Sequence, residues 1–279
     1  MLLGVEGVVV LFAVTLLLML ICPVRGCQVD LVRETQRWVC ARGHCFDVAR
    51  SGYVNLLQPQ DRKSKQPGDT TAAIAGRRRL HDRGVTKPLL DAIAAMAGAG
   101  QKDVVLDAGC GEGFYLGNMQ RQSGFEAHGV DISIPAIDAA ARRYPEGKWI
   151  VANADRLLPY SDGSFTLVLS VTARMNAAEF QRVLRTDGRL LVAIPGAEDL
   201  RELRGGSAGR DRVERTVATF SAGFDLVDQR HVTTSAALDL PEIEGLRHAI
   251  YLPAIGPASR GEMGRVTFAL DLLLFVMRG

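Results

Sequence analysis

A chain of 279 residues in which 47% are hydrophobic has enough apolar material for one α/β domain and a small appendage. No internal repeat or low-complexity tract occurs, which excludes a repeat architecture. The formal net charge of +2 gives no general basis for binding a polyanion, so any contact with nucleic acid must come from a local cluster of basic side chains.

The chain begins with an apolar segment, a fourteen-residue stretch over residues 8–21 with one polar interruption. It is shorter than the about 20 residues that a membrane-spanning helix needs. It also has no basic residue before Arg25, whereas a signal peptide carries positive charge at its front. We predict that residues 1–18 are an upstream extension that arises from a misassigned start, with Met19 as the true start. A membrane-anchoring helix is the alternative.

Four potential metal ligands follow in the pattern C-x4-C-x12-C-x3-H, formed by Cys22, Cys27, Cys40 and His44. Two close pairs of soft ligands separated by a loop are typical of a structural zinc site, and four protein ligands leave no open position for catalysis. Cys45 is an alternative fourth ligand, although adjacent side chains point in different directions. A disulfide is a further alternative, which a cytosolic companion domain disfavours. The sequence therefore predicts one structural Zn²⁺.

Basic side chains are concentrated between this cluster and the next apolar segment. Residues 62–65 read Arg-Lys-Ser-Lys, and residues 77–83 read Arg-Arg-Arg-Leu-His-Asp-Arg. Like charges at this density on a helix are unfavourable unless they are solvated or face phosphates. Both interpretations remain open at the level of sequence.

A strand followed by glycines marks the start of the main domain. Val104–Leu106 is a short apolar run typical of a buried strand, and glycines at alternate positions follow over residues 109–113, where a helix should open. A dinucleotide fingerprint would need glycine at the position of Phe114. Asp107, two residues before the first glycine, suits a ligand with a positively charged amino group better than a pyrophosphate.

Acidic residues end the next two predicted strands. Residues 124–133 form a second strand that reaches Asp131, about twenty residues beyond the glycines, where an acid can accept hydrogen bonds from ribose hydroxyls. Residues 149–155 form a third strand that ends at Asp155, which could accept from an adenine amino group.

The remaining pattern alternates strands and helices. Alternation of this kind predicts a mostly parallel sheet with ligands at its carboxyl edge, and two late strands would complete seven strands with an antiparallel edge. A Rossmann-like domain with an unrelated ligand is the alternative. The predicted strands cover residues 165–170, 188–195, 223–234 and 265–277, and the predicted helices cover 134–143 and 177–184. Residues 251–257 are either a loop over the site or a connection.

Two strings carry a resemblance to a known family. The glycine loop looks like motif I of the S-adenosylmethionine-dependent methyltransferases. Residues 46–57 read F-D-V-A-R-S-G-Y-V-N-L-L directly after the cysteine-histidine cluster, and residues 67–69 read P-G-D. Together these segments resemble the RlmA family of large-subunit (23S) ribosomal RNA guanine-N1 methyltransferases, which includes the tylosin-resistance methyltransferases. The resemblance covers residues 22–196 well and the remainder loosely.

The resemblance implies a fold, a cofactor and a substrate. The fold would be a Rossmann-like class I methyltransferase domain preceded by a small zinc module that recognises RNA. The reaction would transfer the methyl group of S-adenosylmethionine to N1 of a guanine in a hairpin loop of 23S ribosomal RNA. The resemblance also implies homodimers and a cytoplasmic location.

The family's functional positions map unevenly onto the chain. Relatives carry a tyrosine near Thr86, a histidine near Asp199, and an aromatic residue and a proline within residues 170–174, and none of these matches here. The first cysteine pair is also spaced by four residues, where two are usual. The expected zinc ligands are Cys22, Cys27, Cys40 and His44, and the expected cofactor-binding residues are Asp107, Gly109, Gly111, Glu112, Gly113, Asp131 and Asp155.

No residue in the sequence stands out as the catalytic base. Guanine N1 loses a proton during methylation, and Asp155 has the charge to accept it, although its position suits adenine binding better. Arg174 could stabilise negative charge that develops on guanine O6. A surface arginine is the equally good alternative.

The predicted organisation has four parts, with alternatives for the function. A small-molecule methyltransferase with a purely structural zinc module and an inactive RNA-binding homologue both remain open. We expect no membrane association unless residues 1–21 are translated. The parts are an apolar extension over residues 1–21, a zinc module over 22–58, a basic linker or helix over 59–85 and a methyltransferase domain over 86–279.

Overall fold

The computed structural model describes residues 20–62, 64–65, 67–204, 211–250 and 264–278. The predicted upstream extension over residues 1–18 and the predicted loop over 251–257 therefore lie outside the described residues. Within the described ranges, none of the helices has the length and apolar character that crossing a membrane requires.

A small antiparallel sheet comes first in the chain. Its three strands pair in the order β1-β2-β3, and a two-residue strand, β4, follows them. We call residues 20–58 the zinc module. The strand bounds are Leu31–Arg33 for β1, Arg37–Cys40 for β2, Cys45–Asp47 for β3 and Val54–Asn55 for β4.

Strands and helices then alternate through the rest of the chain. The strands are β5 (Val104–Ala108), β6 (Glu126–Asp131), β7 (Lys148–Val151), β8 (Phe165–Val171), β9 (Leu184–Pro195), β10 (Phe224–Leu238) and β11 (Gly264–Met277). The helices are α1 (Thr71–Asp82), α2 (Lys87–Ala97), α3 (Phe114–Ser123), α4 (Ile134–Arg143), α5 (Ala177–Val183), α6 (Arg201–Arg204), α7 (Arg212–Phe220) and α8 (Leu240–Ala249).

The large sheet has the order β10-β11-β9-β8-β5-β6-β7-β4. Strands β4 to β9 pair in parallel, whereas β11 pairs antiparallel to both β9 and β10. The predicted Rossmann-like, mostly parallel sheet with an antiparallel edge is confirmed. The predicted number of seven strands is corrected to eight, because Val54 and Asn55 of the G-Y-V-N-L-L string pair with Ile150 and Val151 at the edge of the sheet.

The two faces of the sheet are covered by different kinds of structure. Side chains alternate between faces along each strand, so Val105 packs with one cluster and Leu106 with the other. On the first face lie α2, α3, α4 and α8. On the second face lie α5, α7 and the zinc module.

The zinc module takes the place of a crossover helix. Parallel neighbours are usually joined by a connection that contains a helix, yet residues 152–164 between β7 and β8 contain none. The zinc module instead covers this part of the second face. Its buried residues pack in one cluster with β5, β6 and β7 residues such as Leu106, Val130 and Ile150.

Backbone hydrogen bonds tie the module to the sheet. Leu20 forms a β-bridge with Tyr160, and the Ile21 amide donates to the Pro159 carbonyl at 3.1 Å. Just after β4, the Leu56 amide donates to the Val151 carbonyl at 2.9 Å. Residues 20 and 21, predicted as part of the apolar extension over 1–21, also bond to the zinc module, because the Leu31 amide donates to the Leu20 carbonyl at 2.6 Å and Ile21 forms a β-bridge with Asp30.

The predicted basic helix is α1, which begins at a Thr70 cap whose side chain accepts from the Ala73 amide. Helix α1 packs across α8 and reaches α4. Helix α8 had no counterpart in the sequence prediction. The α4 bounds were predicted without error, and its start is explained by Ser133, whose hydroxyl accepts from the Ala136 amide.

We expect Leu56→Ala to destabilise the whole chain by roughly 2–4 kcal/mol, because the side chain is 1% exposed in the seam between module and sheet. Urea unfolding monitored by circular dichroism measures this loss. Val32→Ala is the control, since Val32 is 66% exposed on the module surface. If both variants lowered the free energy of unfolding by the same small amount, the zinc module and the large sheet would not share a core.

Candidate functional site

The four predicted zinc ligands converge. The ligand atoms of Cys22, Cys27, Cys40 and His44 all lie within 4.8 Å of one another. His44 Nδ1 is 3.4 Å from Cys22 Sγ and 3.3 Å from Cys40 Sγ, and the sulfurs of Cys27 and Cys40 are 3.8 Å apart. Tetrahedral zinc with Zn–S bonds of about 2.3 Å and a Zn–N bond of about 2.0 Å places its ligand atoms about 3.5–3.8 Å apart. The cluster therefore has the size of a zinc site.

Local turns explain this convergence. The Cys27 amide donates to the Val24 carbonyl at 2.9 Å, and the Gly43 amide donates to the Cys40 carbonyl at 2.9 Å, so each ligand pair closes a tight turn. Cys45, the alternative fourth ligand, is exposed and lies outside the cluster. All five cysteines are free thiols, so the disulfide alternative is not observed.

The glycine loop follows β5 at the carboxyl edge of the sheet. Gly113 begins α3 with a φ of +75°, and a Cβ there would lie 2.5 Å from the Trp149 ring. Gly109 has a φ of +94°, and a Cβ there would lie 2.4 Å from the Ala173 methyl group. Both positions therefore require glycine on two grounds, the backbone conformation and the lack of space.

Asp131 organises the loop from the neighbouring strand. One carboxylate oxygen accepts the Gly111 amide at 2.9 Å, and the other accepts the Ser133 amide at 2.8 Å. Each oxygen keeps a further lone pair for another donor. The predicted ribose acceptor thus lies beside the glycine loop, as the sequence pattern required, and also holds that loop in place.

Asp107 is buried at the base of the loop. Burial, and then the nearby Asp131 charge, raise the pKa of its carboxyl group to about 8. Its Oδ1 atom has no hydrogen-bond partner among the described residues, although such buried groups are nearly always paired. A hydrogen-bond donor is what this buried oxygen lacks. The amino group of S-adenosylmethionine fits that requirement.

Glu112, predicted to bind the cofactor, is turned towards α1. It is 4% exposed, and the Arg78 Nε atom donates to its Oε2 at 2.7 Å. Burial raises the pKa of the Glu112 carboxyl group, while the Arg78 charge opposes that rise. The basic helix α1 is thereby joined to the glycine loop by an ion pair.

Helix α1 also packs over the start of α3. The His81 ring stacks on the Phe114 ring with centroids 3.8 Å apart, and His81 Nδ1 lies 2.7 Å from the Thr86 hydroxyl. Burial, together with the charges of nearby arginines, lowers the pKa of His81 to about 3. His81 is consequently neutral at physiological pH. Thr86, near which the family resemblance implies a tyrosine, is buried in this contact.

The P-G-D element borders the tip of β6. Gly68 packs against Ile132 and Ser133, and the Ser133 hydroxyl donates to the Asp69 carbonyl at 2.8 Å. Asp69 also forms an ion pair with Arg77 of α1. This element therefore lies next to Asp131, the predicted ribose acceptor.

The two catalytic candidates, Asp155 and Arg174, form an ion pair. Strand β7 ends at Val151, so Asp155 lies in a turn beyond the strand and not at its tip, a correction to the predicted strand over residues 149–155. Its carboxylate is 3.3 Å from the Arg174 guanidinium, and the two side chains are 39% and 81% exposed. Asn176 reinforces this link by donating to the Asp155 carbonyl at 3.0 Å.

The segment that follows β8 has a strained backbone. Thr172 has a φ of +50°, which is rare for a β-branched residue, and its amide donates to the Ala193 carbonyl at 2.8 Å. This conformation places Ala173 against Gly109. The departure over residues 170–174 thus directly borders the glycine loop.

Asp199 lies near Tyr115 of α3. Its Oδ1 accepts the Ala269 amide at 3.1 Å, and burial raises the pKa of its carboxyl group. Burial, followed by the charges of Asp199 and Asp107, raises the pKa of the Tyr115 hydroxyl well above its usual value. Tyr115 and the two acids therefore lie close enough to interact electrostatically, with Asp107 buried and the other two half-buried.

Sequence reasoning missed Arg78 and His81 as residues around the loop. Arg78 was part of the basic run, but nothing local indicates that its partner is Glu112, 34 residues away. The P-G-D element entered only through the family resemblance, although its glycine signals a turn.

Known proteins match both parts of the chain. The zinc ribbon family described as "RlmA, N-terminal" matches residues 20–65, and the family described as "Methyltransferase domain" matches residues 105–192. The 23S rRNA (guanine(748)-N(1))-methyltransferase of Streptomyces fradiae is 40% identical over 65% of this chain and 65% of its own length. A putative 23S rRNA (guanine-N(1)-)-methyltransferase of Micromonospora griseorubida is 36% identical over 59% of this chain and 60% of its own length.

The chain thus matches less than two thirds of each of these relatives. A solved complex between the Haloferax volcanii Trm112 methyltransferase activator and a putative methyltransferase gives a TM-score of 0.54 at 18% identity, covering 78% of this chain and 100% of that chain. That likeness shows the fold alone. The matches confirm the resemblance predicted from the motifs, an RlmA-type zinc ribbon in front of a methyltransferase domain.

Removing the metal should destabilise the methyltransferase sheet along with the module, because the module covers the second face of that sheet. We expect one zinc per chain by elemental analysis, and a lower unfolding temperature for all secondary structure after chelation. Cys40→Ser should reproduce the loss, whereas the exposed Cys45→Ser should not. An unchanged unfolding transition in the chelated protein would contradict this coupling.

Cofactor affinity should depend on pH through Asp107. Its pKa of about 8 means that the carboxyl group is protonated at neutral pH and must release a proton to accept an ammonium group. Affinity for S-adenosylmethionine should therefore rise with pH up to about 8, by at most about tenfold per pH unit.

Isothermal titration in two buffers of different ionisation enthalpy measures the released proton. Asp107→Asn should weaken binding and flatten the pH dependence, whereas Asp162→Asn, at an 81% exposed side chain, should do neither. A wild-type affinity that is independent of pH between 6 and 8 would argue against this role for Asp107.

Proposed function

We propose that this chain transfers a methyl group from S-adenosylmethionine to N1 of a guanine in large-subunit (23S) ribosomal RNA. One observation carries the proposal: a methyltransferase sheet with an unpaired buried acid under its glycine loop is joined, through a shared core, to an RlmA-type zinc ribbon. The names of the relatives from S. fradiae and M. griseorubida support the substrate.

The chain's own residues would hold the cofactor in order along the carboxyl edge. Asp107 would accept the ammonium group, and the backbone of Gly109, Gly111 and Gly113 would lie against the ligand because no Cβ intervenes. Asp131 would accept the ribose hydroxyls through its free lone pairs. Glu112 would act by holding the loop against α1, and Asp155 would face the adenine end from the turn after β7.

S-adenosylmethionine, when bound, supplies an activated methyl group. The chain has to present guanine N1 in line with that group and keep water away from it. Guanine N1 loses its proton as it gains the methyl group, so an acceptor is needed. Asp155 has two alternative roles: it binds the adenine, or it accepts this proton while Arg174 beside it offsets negative charge on guanine O6.

The zinc module would contact the RNA, so ribosomal RNA is the proposed partner. The proposed location is the cytoplasm, because that is where this substrate would be met. A target in a hairpin loop has less stacking to lose, so turning the guanine into the pocket costs less than from a duplex. The homodimer that the resemblance implies is part of this proposal, and sedimentation of the purified chain tests it.

Primer extension on large-subunit RNA tests the function, because a methyl group on guanine N1 blocks base pairing. We expect a stop that depends on the gene and that disappears with Gly111→Val, since a valine at a φ of +54° strains the loop. Zinc content should not change.

Gly163→Val is the matched control. Gly163 has a φ of +62° and open space around it, but it lies in the turn before β8, away from the loop. The absence of any gene-dependent stop in cells that express the wild-type chain would refute the proposed reaction.

A further inference from the structure

A groove of about 890 Å³ runs between α1 and α4. Both helices begin at the carboxyl edge of the sheet, where Thr70 and Ser133 cap them. The groove therefore starts beside the predicted ribose acceptor and continues along the outer surface of the domain. It lies outside the pocket built by the glycine loop.

Arginines dominate the charged lining of this groove. Arg78 and Arg79 come from α1, Arg142 and Arg143 come from α4, and the acids facing them are Asp82 and Asp138. Because Arg78 is also paired with Glu112 of the glycine loop, the groove keeps an excess of one positive charge. The groove is therefore a local basic site of the kind that the overall composition could not reveal.

The arginines of the groove keep N–H groups that can bind a ligand in addition to their ion pairs. Arg142 pairs with Asp138 at 2.9 Å and Arg143 with Asp82 at 2.6 Å, but these arginines donate only part of their five N–H groups. Arg79 is exposed, and no ion pair is found for it among the described residues. Guanidinium groups suit phosphates because two parallel N–H donors match two phosphate oxygens.

The two sides of the groove connect to the two functional parts of the chain. Arg78 lines the groove and also pairs with Glu112 of the glycine loop at 2.7 Å. Asp138 lines the opposite side and accepts a hydrogen bond from Ser51 of the zinc module at 2.7 Å. A ligand in the groove would therefore touch residues that hold both the cofactor loop and the zinc module.

Apart from Thr71, the remaining lining is apolar, which favours a nucleic acid over a simple anion. Ile74, Ala75, Pro135 and Ala139 form the end of the groove nearest the cofactor edge. A nucleotide offers a sugar and a base for such a surface and phosphates for the arginines. The chemistry of the groove thus matches a short stretch of single-stranded RNA.

We propose that the groove between α1 and α4 binds the phosphodiester backbone of the RNA substrate, between the zinc module and the cofactor loop. This inference rests on the proposed function and adds to it the route that the RNA takes. Binding there contacts Arg78, so it engages the ion pair that holds the glycine loop.

The test measures binding of the full chain to a large-subunit RNA transcript at several salt concentrations. We expect the double variant Arg79→Gln, Arg142→Gln to bind about tenfold more weakly and to lower the slope of log affinity against log salt by about 2. Asp82→Asn should act in the opposite direction and tighten binding, because it leaves the Arg143 charge unopposed. Cofactor affinity and zinc content should match the wild type in all variants.

Arg215→Gln is the matched control. Like Arg142, Arg215 is an exposed helical arginine with an i,i+4 aspartate partner, but its helix, α7, covers the opposite face of the sheet. RNA binding by the double variant that equals that of this control would overturn the groove as a phosphate site, and so would weaker binding by Asp82→Asn.

The two proposals fail differently. A wild-type chain that neither binds nor methylates the transcript overturns the proposed function and the groove together. A wild-type chain that methylates the transcript, with groove variants that bind as the control does, overturns the groove alone.

Discussion

Burial of the second sheet face by the zinc module is the contact on which the rest of the structure depends. The connection between β7 and β8 provides no helix, so Leu106, Val130 and Ile150 would face water without the module. The module itself has strands of two to four residues and is too small to keep its form by its own core. Metal binding by the Cys-Cys-Cys-His cluster would stabilise the module. The sheet depends on the module for its cover, and the glycine loop depends on the sheet for its position.

The contact between the zinc module and the sheet also positions the segment that leads from β4 to the glycine loop. Once β4 has paired with β7, the following residues lead to the P-G-D turn against the tip of β6 and then into α1. Helix α1 reaches the glycine loop through the Arg78–Glu112 pair and the His81–Phe114 stack. A module expected to recognise RNA is thereby linked, within one short segment, to the loop expected to hold the methyl donor.

Local patterns were sufficient for much of this arrangement. The α4 bounds, the alternation of strands and helices and the four converging zinc ligands follow from a serine cap, apolar periodicity and ligand spacing, all of which act over a few residues. The eighth strand, the missing crossover helix and the partner of Glu112 depend on contacts between distant segments. Asp155 was misplaced for a related reason, because apolar residues after Val151 continue the strand pattern while the backbone has already turned.

The most direct measurement is a nucleoside analysis of large-subunit ribosomal RNA after incubation with the purified chain and S-adenosylmethionine. We expect 1-methylguanosine to appear, from one guanine in a hairpin loop, and only while Asp107 and the glycine loop are intact. Methyl transfer to another nucleoside, or none at all by a chain that holds its zinc and binds the cofactor, would contradict the assigned reaction.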